Sequence, residues 1–254
     1  MKEFQELYKI KGSDIAVFLG SGSSINRITN EQWEKISEVD TWTVNNWVYH
    51  PFVPKFYNLE VKGIDKKIIT ERFLEKEEEY NNTHFIIDKS KKLALNSIST
   101  QKNVYLYNLD IMDDVDTSKH NPKIKYEYKV SSDPNTLIAH NLCSSLTLIL
   151  DFLWRFGYEK VIFFGVDMHD SRYFWTNRPE YGKTHCQYNH DHKKNKKIEQ
   201  PHTTFRIKDF VIWFSEEWMS KIDCKLFVGH KDTKLYPDLK YFDIENLKGG
   251  KLHG

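Results

Sequence analysis

Three cysteines in 254 residues, Cys143, Cys186 and Cys224, are odd in number and far apart, which argues against a disulfide framework. Long hydrophobic runs are missing too. None approaches the roughly 18 to 20 apolar residues that span a bilayer, and the segment from Met1 to Glu6 has no apolar stretch of the signal-peptide kind. The expected location is therefore cytoplasmic, with at most peripheral contact at the inner face of the membrane. No charge predominates: 37 Lys and Arg stand against 36 Asp and Glu. Such a balance gives no whole-molecule field to draw in nucleic acid, so any polyanion contact must be local. Several signatures are also lacking. There is no G-x-G-x-x-G, no Walker A loop and no G-x-S-x-G elbow, which disfavours dinucleotide, P-loop and serine-hydrolase chemistry.

Aromatic residues, in contrast, are plentiful. With 7 Trp, 14 Tyr and 16 Phe the chain carries more core material than a disordered sequence. A mean hydropathy of -0.64 places that core under a very polar surface. The length fits a single domain over residues 1–254.

Along the chain, short apolar β-type runs alternate with helical patterns. After a charged lead-in, Asp14 to Leu19 reads as a strand, Gly20 to Ser24 as a glycine turn, and Asn30 to Ile36 as a helical turn or two. Thr41 to Asn45 and Pro54 to Asn58 read as further strands, with Asn58-Leu-Glu60 emerging at a carboxyl edge. Asp65 to Tyr80 reads as a charged surface helix, and His84 to Asp88 and Val104 to Tyr107 as strands. Residues 108–138, with Asp110, Asp113, Asp114 and Asp116 and two prolines, read as a long irregular segment. The strongest helical pattern covers Ala139 to Phe156 and stops at Gly157; a buried strand from Lys160 follows and ends at Asp167. Met168 to Gln200 is polar and reads as either disordered or a loop covering a substrate. A helix over Phe205 to Lys221 and a strand over Lys225 to Val228 complete the pattern. The sum is an α/β fold with a mainly parallel sheet and helices on both faces, which binds ligands at its carboxyl edge.

Candidate site residues gather at that edge. Gly20, Ser21 and Gly22 follow the first strand, where a glycine turn lets backbone approach a ligand and aims N–H groups at an anion. Asn45 and Asn46 after the second strand and Asn58 after the third are amides suited to ribose, base or sugar hydroxyls, and equally to turns and caps. Ser144 and Ser145, near the start of the long helix, can hold phosphate or carboxylate, or simply cap it. Asp167 and Asp170 invite a D-x-D metal reading, but their spacing points to Asp167 ordering a loop or binding a hydroxyl. His185, Cys186, His190, His192 and His202 invite zinc; their spacing matches no common metal knuckle, so no metal site is assigned. Lys193 to Lys197 is a solvated charge run that on a lid could meet phosphate or an anionic membrane. His202, just before a helix, is the best general-base candidate.

In order and approximate spacing over residues 14–228, this set resembles the bacterial sialyltransferases of glycosyltransferase family 42. The residues that carry the resemblance are Gly20-Ser-Gly22, Val44-Asn-Asn46, Phe56-Tyr-Asn58, Ser144-Ser145, Gly157-Tyr158, Gly165-Val-Asp167, Tyr173 and His202. The resemblance implies a Rossmann-like, GT-A-like variant with a lid at about 169–201. It implies a CMP-activated acid sugar as donor and a surface-glycan hydroxyl as acceptor, with no required cofactor and Mg²⁺ optional at most. Gly20, Ser21 and Gly22 would lie against phosphate and ribose, Ser21 standing where the family commonly has Asn. Asn45 or Asn46 with Asn58 would contact nucleotide and sugar, and Ser145 with its neighbours the sugar carboxylate. Tyr173 would hydrogen-bond the departing phosphate, His169 would stand in for a second phosphate-binding tyrosine, and His202 would act as base in a single displacement with inversion. Sialic acid, Kdo, legionaminate and pseudaminate all remain open as the sugar, and a homo-oligomer is open too. Two other classes stay alongside. One is the archaeal-type pterin diphosphokinase family, needing ATP and Mg²⁺ at Asp167 and Asp170. The other is a non-catalytic nucleotide- or glycan-binding module.

Overall fold

The apolar runs build a ten-stranded sheet with order β1-β6-β5-β4-β3-β2-β8-β9-β10 and β7 added beside β6. The strands are β1 (Lys2–Glu3), β2 (Ile15–Leu19), β3 (Asp40–Val44), β4 (Phe56–Leu59), β5 (His84–Asp88), β6 (Val104–Met112), β7 (Thr136–His140), β8 (Lys160–Phe164), β9 (Lys225–Val228) and β10 (Lys240–Tyr241). Every pairing is parallel. The helices are α1 (Asn30–Ser37), α2 (Asp65–Glu75), α3 (Ser145–Phe156) and α4 (Phe205–Glu217). This computed structural model describes residues 1–60, 65–90, 103–112, 131–140, 145–170, 172–181 and 205–247. The fold is α/β and Rossmann-like. Among the described residues no helix is long and apolar enough to cross a membrane.

Both sheet faces are covered, as a parallel sheet requires. Strand alternation divides the aromatic content between two cores. Ala16 and Phe18 of β2, with Val161 and Phe163 of β8, pack with Trp42, Phe56, Phe152 and Phe156 on the face of α3 and α4. Val17, Leu19, Ile162 and Phe164 point the other way, into a core with Trp47, Tyr57, Phe73 and Phe85. Local signals fix the ends of elements. Thr29 and Gln32 form a reciprocal capping box that starts α1. Gly157 adopts φ +61, a left-handed conformation open to glycine, directly after α3.

At the amino edge of the sheet, buried Asp40 gathers three donors. Lys55 Nζ lies 2.6 Å away, and the Tyr158 hydroxyl and Gly12 N–H each 3.0 Å. The Tyr158 oxygen in turn accepts from Trp42 Nε1 at 3.0 Å. This network ties β3, β4 and the turn before β8 at the end opposite the ligand-binding edge.

Several expectations are corrected. The irregular reading of 108–138 fails at both ends, because β6 continues to Met112 and β7 begins at Thr136 in parallel register with it. The aspartates hid an alternation in which Asn108 and Asp110 flank Leu109. The long helix starts at Ser145, and Ala139 belongs to β7. α4 ends at Glu217, and a 3-10 turn over Met219–Ile222 replaces its last turn before Asp223 at φ +55. The charged lead-in is a 3-10 segment over Phe4–Ile10 that buries Phe4 and Leu7.

The first part of the expected lid is packed. Phe174 and Trp175 are buried, and Phe174 meets His50 edge-on at 5.3 Å. His50 stacks on Trp47 at 4.6 Å, and its Nδ1 accepts from the Phe52 N–H at 3.0 Å. Burial, with the Lys76 ammonium nearby, pushes His50 down to about 3. The remainder of the lid and His202, the zinc set and Lys193 to Lys197 all lie outside the described residues, as does Ser144.

Two stability predictions follow from these networks. Asp40→Ala strands Lys55 and the buried Tyr158 hydroxyl and is expected to cost about 3 kcal/mol in urea denaturation. His50 is neutral when folded, while the unfolded chain protonates near its ordinary 6.5. Stability is therefore expected to fall as pH drops from about 6.5 toward about 3, by up to about 1.4 kcal/mol per pH unit. Denaturation midpoints between pH 7 and 5 check this, and His50→Gln is expected to make the decline shallower, the remainder coming from His84, which burial pushes down to about 4, and from His230, which burial also lowers.

Candidate active site

Strand order reverses at β2, which has β3 on one side and β8 on the other. At such a switch point the loops leaving the carboxyl ends diverge and open a crevice. Here the crevice is a cleft of about 270 Å³. Ser21, Asn45, Asn46, Ser145, Asp167 and Tyr173 line it, over an apolar floor that includes Phe18, Val44 and Leu146. Left-handed backbone clusters at this edge: Asn45 has φ +49, Gly165 +67 and Met168 +60. A left-handed methionine costs on the order of 1 to 3 kcal/mol, strain of the kind that functional sites retain.

The glycine turn works differently from its sequence reading. The Gly20 N–H donates to Phe164 O and the Gly22 N–H to Gly165 O, both at 2.8 Å, so neither is offered to a ligand. A Cβ on Gly22 would meet Asp167 Oδ2 at 2.6 Å and Gly165 O at 2.7 Å. These glycines therefore permit close approach of the β2 and β8 loops to each other. The Ser21 N–H has no hydrogen-bond partner among the described residues and is one backbone donor left at the cleft, as are the N–H groups of Val166, Asp167 and Met168.

Gly22 caps a 3-10 turn over Ser23–Arg27, and the anion at that turn's start is the protein's own Asp167. Asp167, 4% exposed, accepts from the Ser24 N–H at 3.0 Å, from the Ser23 hydroxyl at 3.3 Å and from the Ser24 hydroxyl in a short contact. Asp167 thus orders the loop, one of the two roles its position allowed. The Ser23 hydroxyl also lies 3.0 Å from Asp170. Burial opposes the charge on Asp170, but hydrogen bonds from the Arg172 guanidinium and N–H and from Ser23 outweigh it, drawing the carboxyl down to about 2. Among the described residues no group of three His, Cys, Asp or Glu side chains is placed to hold a metal.

On the opposite wall lies a connected polar network. Asn45 Nδ2 donates to Ser145 Oγ at 3.0 Å, and Asn45 Oδ1 accepts from the Glu60 N–H at 2.9 Å. Ser145 Oγ donates to Glu60 Oε2 at 3.1 Å. Its one proton is thereby used, so Ser145 offers the cleft an acceptor suited to a ligand hydroxyl rather than to a carboxylate. Asn58 is fully buried beneath, donating to Glu60 Oε1 at 3.0 Å and accepting from the Tyr107 hydroxyl at 3.4 Å. It supports the wall rather than lining the cleft.

Tyr173 bridges to Gly22 and stacks on Trp175 at 4.5 Å and 10°. His169 faces away: its Nδ1 lies 2.8 Å from Asp167 O and its Nε2 3.3 Å from Asp232, and it lines a neighbouring cavity. Three contributors were given no role from the sequence. Glu60 was placed with Asn58 at the carboxyl edge, and strand alternation puts both on one side, so its part in the wall was recoverable. Arg172 and Trp175 carried no local signal. Compared with protein-family models, curated proteins and solved structures, the chain shows no match to any.

Asp167→Ala leaves the Ser24 N–H and hydroxyl buried without a partner. It is expected to lower stability by about 3 kcal/mol, and Gly22→Ala by about 1 to 3 kcal/mol through overpacking; urea denaturation checks both.

Proposed function

We propose that this chain is an inverting glycosyltransferase that moves a sialic acid or related acid sugar from its CMP donor onto a glycan hydroxyl. One observation carries the reading. Ser21, Asn45, Asn46, Ser145 and Tyr173, which come from separate stretches of chain and which the family resemblance assigns to the donor, line one cleft at the switch point.

Charge supports a monophosphate donor. Asp167 and Asp170 stand on the cleft wall, and Arg172 is the one cation among its described lining residues. Such a wall repels a nucleoside triphosphate more than a phosphodiester. In this reading the Ser21 N–H and Arg172 meet the phosphate or the sugar carboxylate. The Asn45–Ser145–Glu60 wall takes ribose or sugar hydroxyls. Tyr173 donates to the phosphate oxygen that gains charge as CMP leaves, while His202 removes the acceptor proton. The leaving group is a single phosphate, so its charge can be met by these donors alone.

The ATP and Mg²⁺ reading has the proximity of Asp167 and Asp170 in its favour. Against it, both oxygens of Asp167 already accept from Ser23 and Ser24.

CMP is expected to raise the melting temperature of the protein, and ATP with Mg²⁺ to leave it unchanged; stabilisation by ATP and Mg²⁺ alone would contradict the proposal. With a CMP-acid-sugar donor, Tyr173→Phe is expected to slow CMP release by about 100-fold, the usual effect of removing one transition-state donor. His202→Ala is expected to abolish transfer while keeping CMP affinity, and retained turnover would remove His202 as the base.

A further inference from the structure

A second cavity, of about 390 Å³, adjoins the cleft, and Asp170, Arg172 and Tyr173 line both. Its remaining wall carries Arg27, Arg178 and His169. The cationic side chains at this edge therefore concentrate in the second cavity rather than in the cleft. They come from separate places: Arg27 ends the turn after β2, Arg172 lies in the loop after β8, and Arg178 precedes a 3-10 turn over Pro179–Tyr181. Two carboxylates, Asp170 and Asp232, offset them in part.

The arginines have donors to spare. Arg27 reaches Asp232 through Nη1 at 2.8 Å, and Arg178 reaches Glu180 through Nη1 at 3.1 Å. Their other guanidinium nitrogens have no partner among the described residues. Both pairs are about half exposed, and exposed pairs hold weakly, so an incoming anion displaces little. The Asn26 amide, with one of its two protons given to Phe174 O, and the Thr176 hydroxyl, which accepts from the Tyr173 N–H, add neutral donors at the same wall. Planar guanidinium groups with free donors, beside hydroxyl and amide groups, suit a carboxylate or phosphate carried on a sugar.

We infer that this cavity is the acceptor subsite and that it takes an acidic glycan, one bearing a carboxylate or phosphate near the hydroxyl to be glycosylated. The acceptor role rests on the transferase reading; anion recognition by Arg27 and Arg178 does not. The shared wall explains the arrangement. A ligand seated against Arg27 and Arg178 lies across Tyr173 from the donor cleft, so donor and acceptor occupy adjoining spaces with Tyr173 between them.

The test is a titration of the full chain at low ionic strength with sialyllactose, lactose and inorganic phosphate, read by calorimetry. Sialyllactose is expected to bind at least about tenfold more tightly than lactose, and to weaken as salt is added. The double variant Arg27→Gln, Arg178→Gln is expected to remove most of that preference. If it melts well below the parent protein, the single variant Arg178→Gln gives the same readout. Equal binding of lactose and sialyllactose, or an unchanged preference in the variants, would overturn the inference. Phosphate binding without sialyllactose binding would assign the cavity to a free anion and overturn the acceptor role. CMP titrated into the same protein reports on the neighbouring cleft. Failure there with sialyllactose still bound would sink the transferase reading and leave the anion site standing.

Discussion

The carboxylate of Asp167, buried at the start of the Ser23–Arg27 turn, is the contact on which the binding edge depends. It joins the loop leaving β2 to the loop leaving β8 across the point where strand order reverses. Gly20 and Gly22 exist at their positions so that these two loops can approach, and Gly165 is left-handed on the other side of the same contact. Once the loops are locked, Tyr173 can bridge to Gly22, and Phe174 and Trp175 can enter the core beside His50. One buried charge with its donors thus sets the shape of both cavities.

The same contact limits what the cleft can bind. A helix start after a glycine turn ordinarily invites a phosphate. Here the protein supplies the anion itself, and the Ser21 N–H is left without a partner among the described residues at the cleft. The opposite wall offers Asn45 and Ser145 backed by Glu60, which favours hydroxyls. The arginines stand to one side, around the second cavity. A near-neutral chain has therefore placed its charge locally: carboxylates at the loop junction, guanidinium groups beside them, and across the cleft an amide and a hydroxyl backed by the Glu60 carboxylate.

Much of the sheet was legible because parallel strands buried on both faces read as continuous apolar runs, as in Lys160 to Phe164. β7 was not, since Thr136 to His140 lies next to a helix-forming run and no glycine or proline separates the two patterns. At the site, residue types were legible but their roles were not. Asn58 was read as a ligand contact, yet it faces Tyr107 and Glu60 beneath the wall. His169 was paired with Tyr173 by resemblance, yet the backbone at Met168, left-handed at φ +60, turns it toward Asp232. Glycine spacing cannot distinguish close approach to a ligand from close approach to a neighbouring loop; only the position of Gly165 decides it.

The most direct measurement is an amide NMR titration of the ¹⁵N-labelled chain with CMP, and separately with ATP and Mg²⁺. With CMP, the Ser21 amide and the Asn45 side-chain amide are expected to shift, while the Gly20 and Gly22 amides, already bonded to Phe164 and Gly165, move little. Shifts at Ser21 and Asp167 with ATP and Mg²⁺, and none with CMP, would contradict the account.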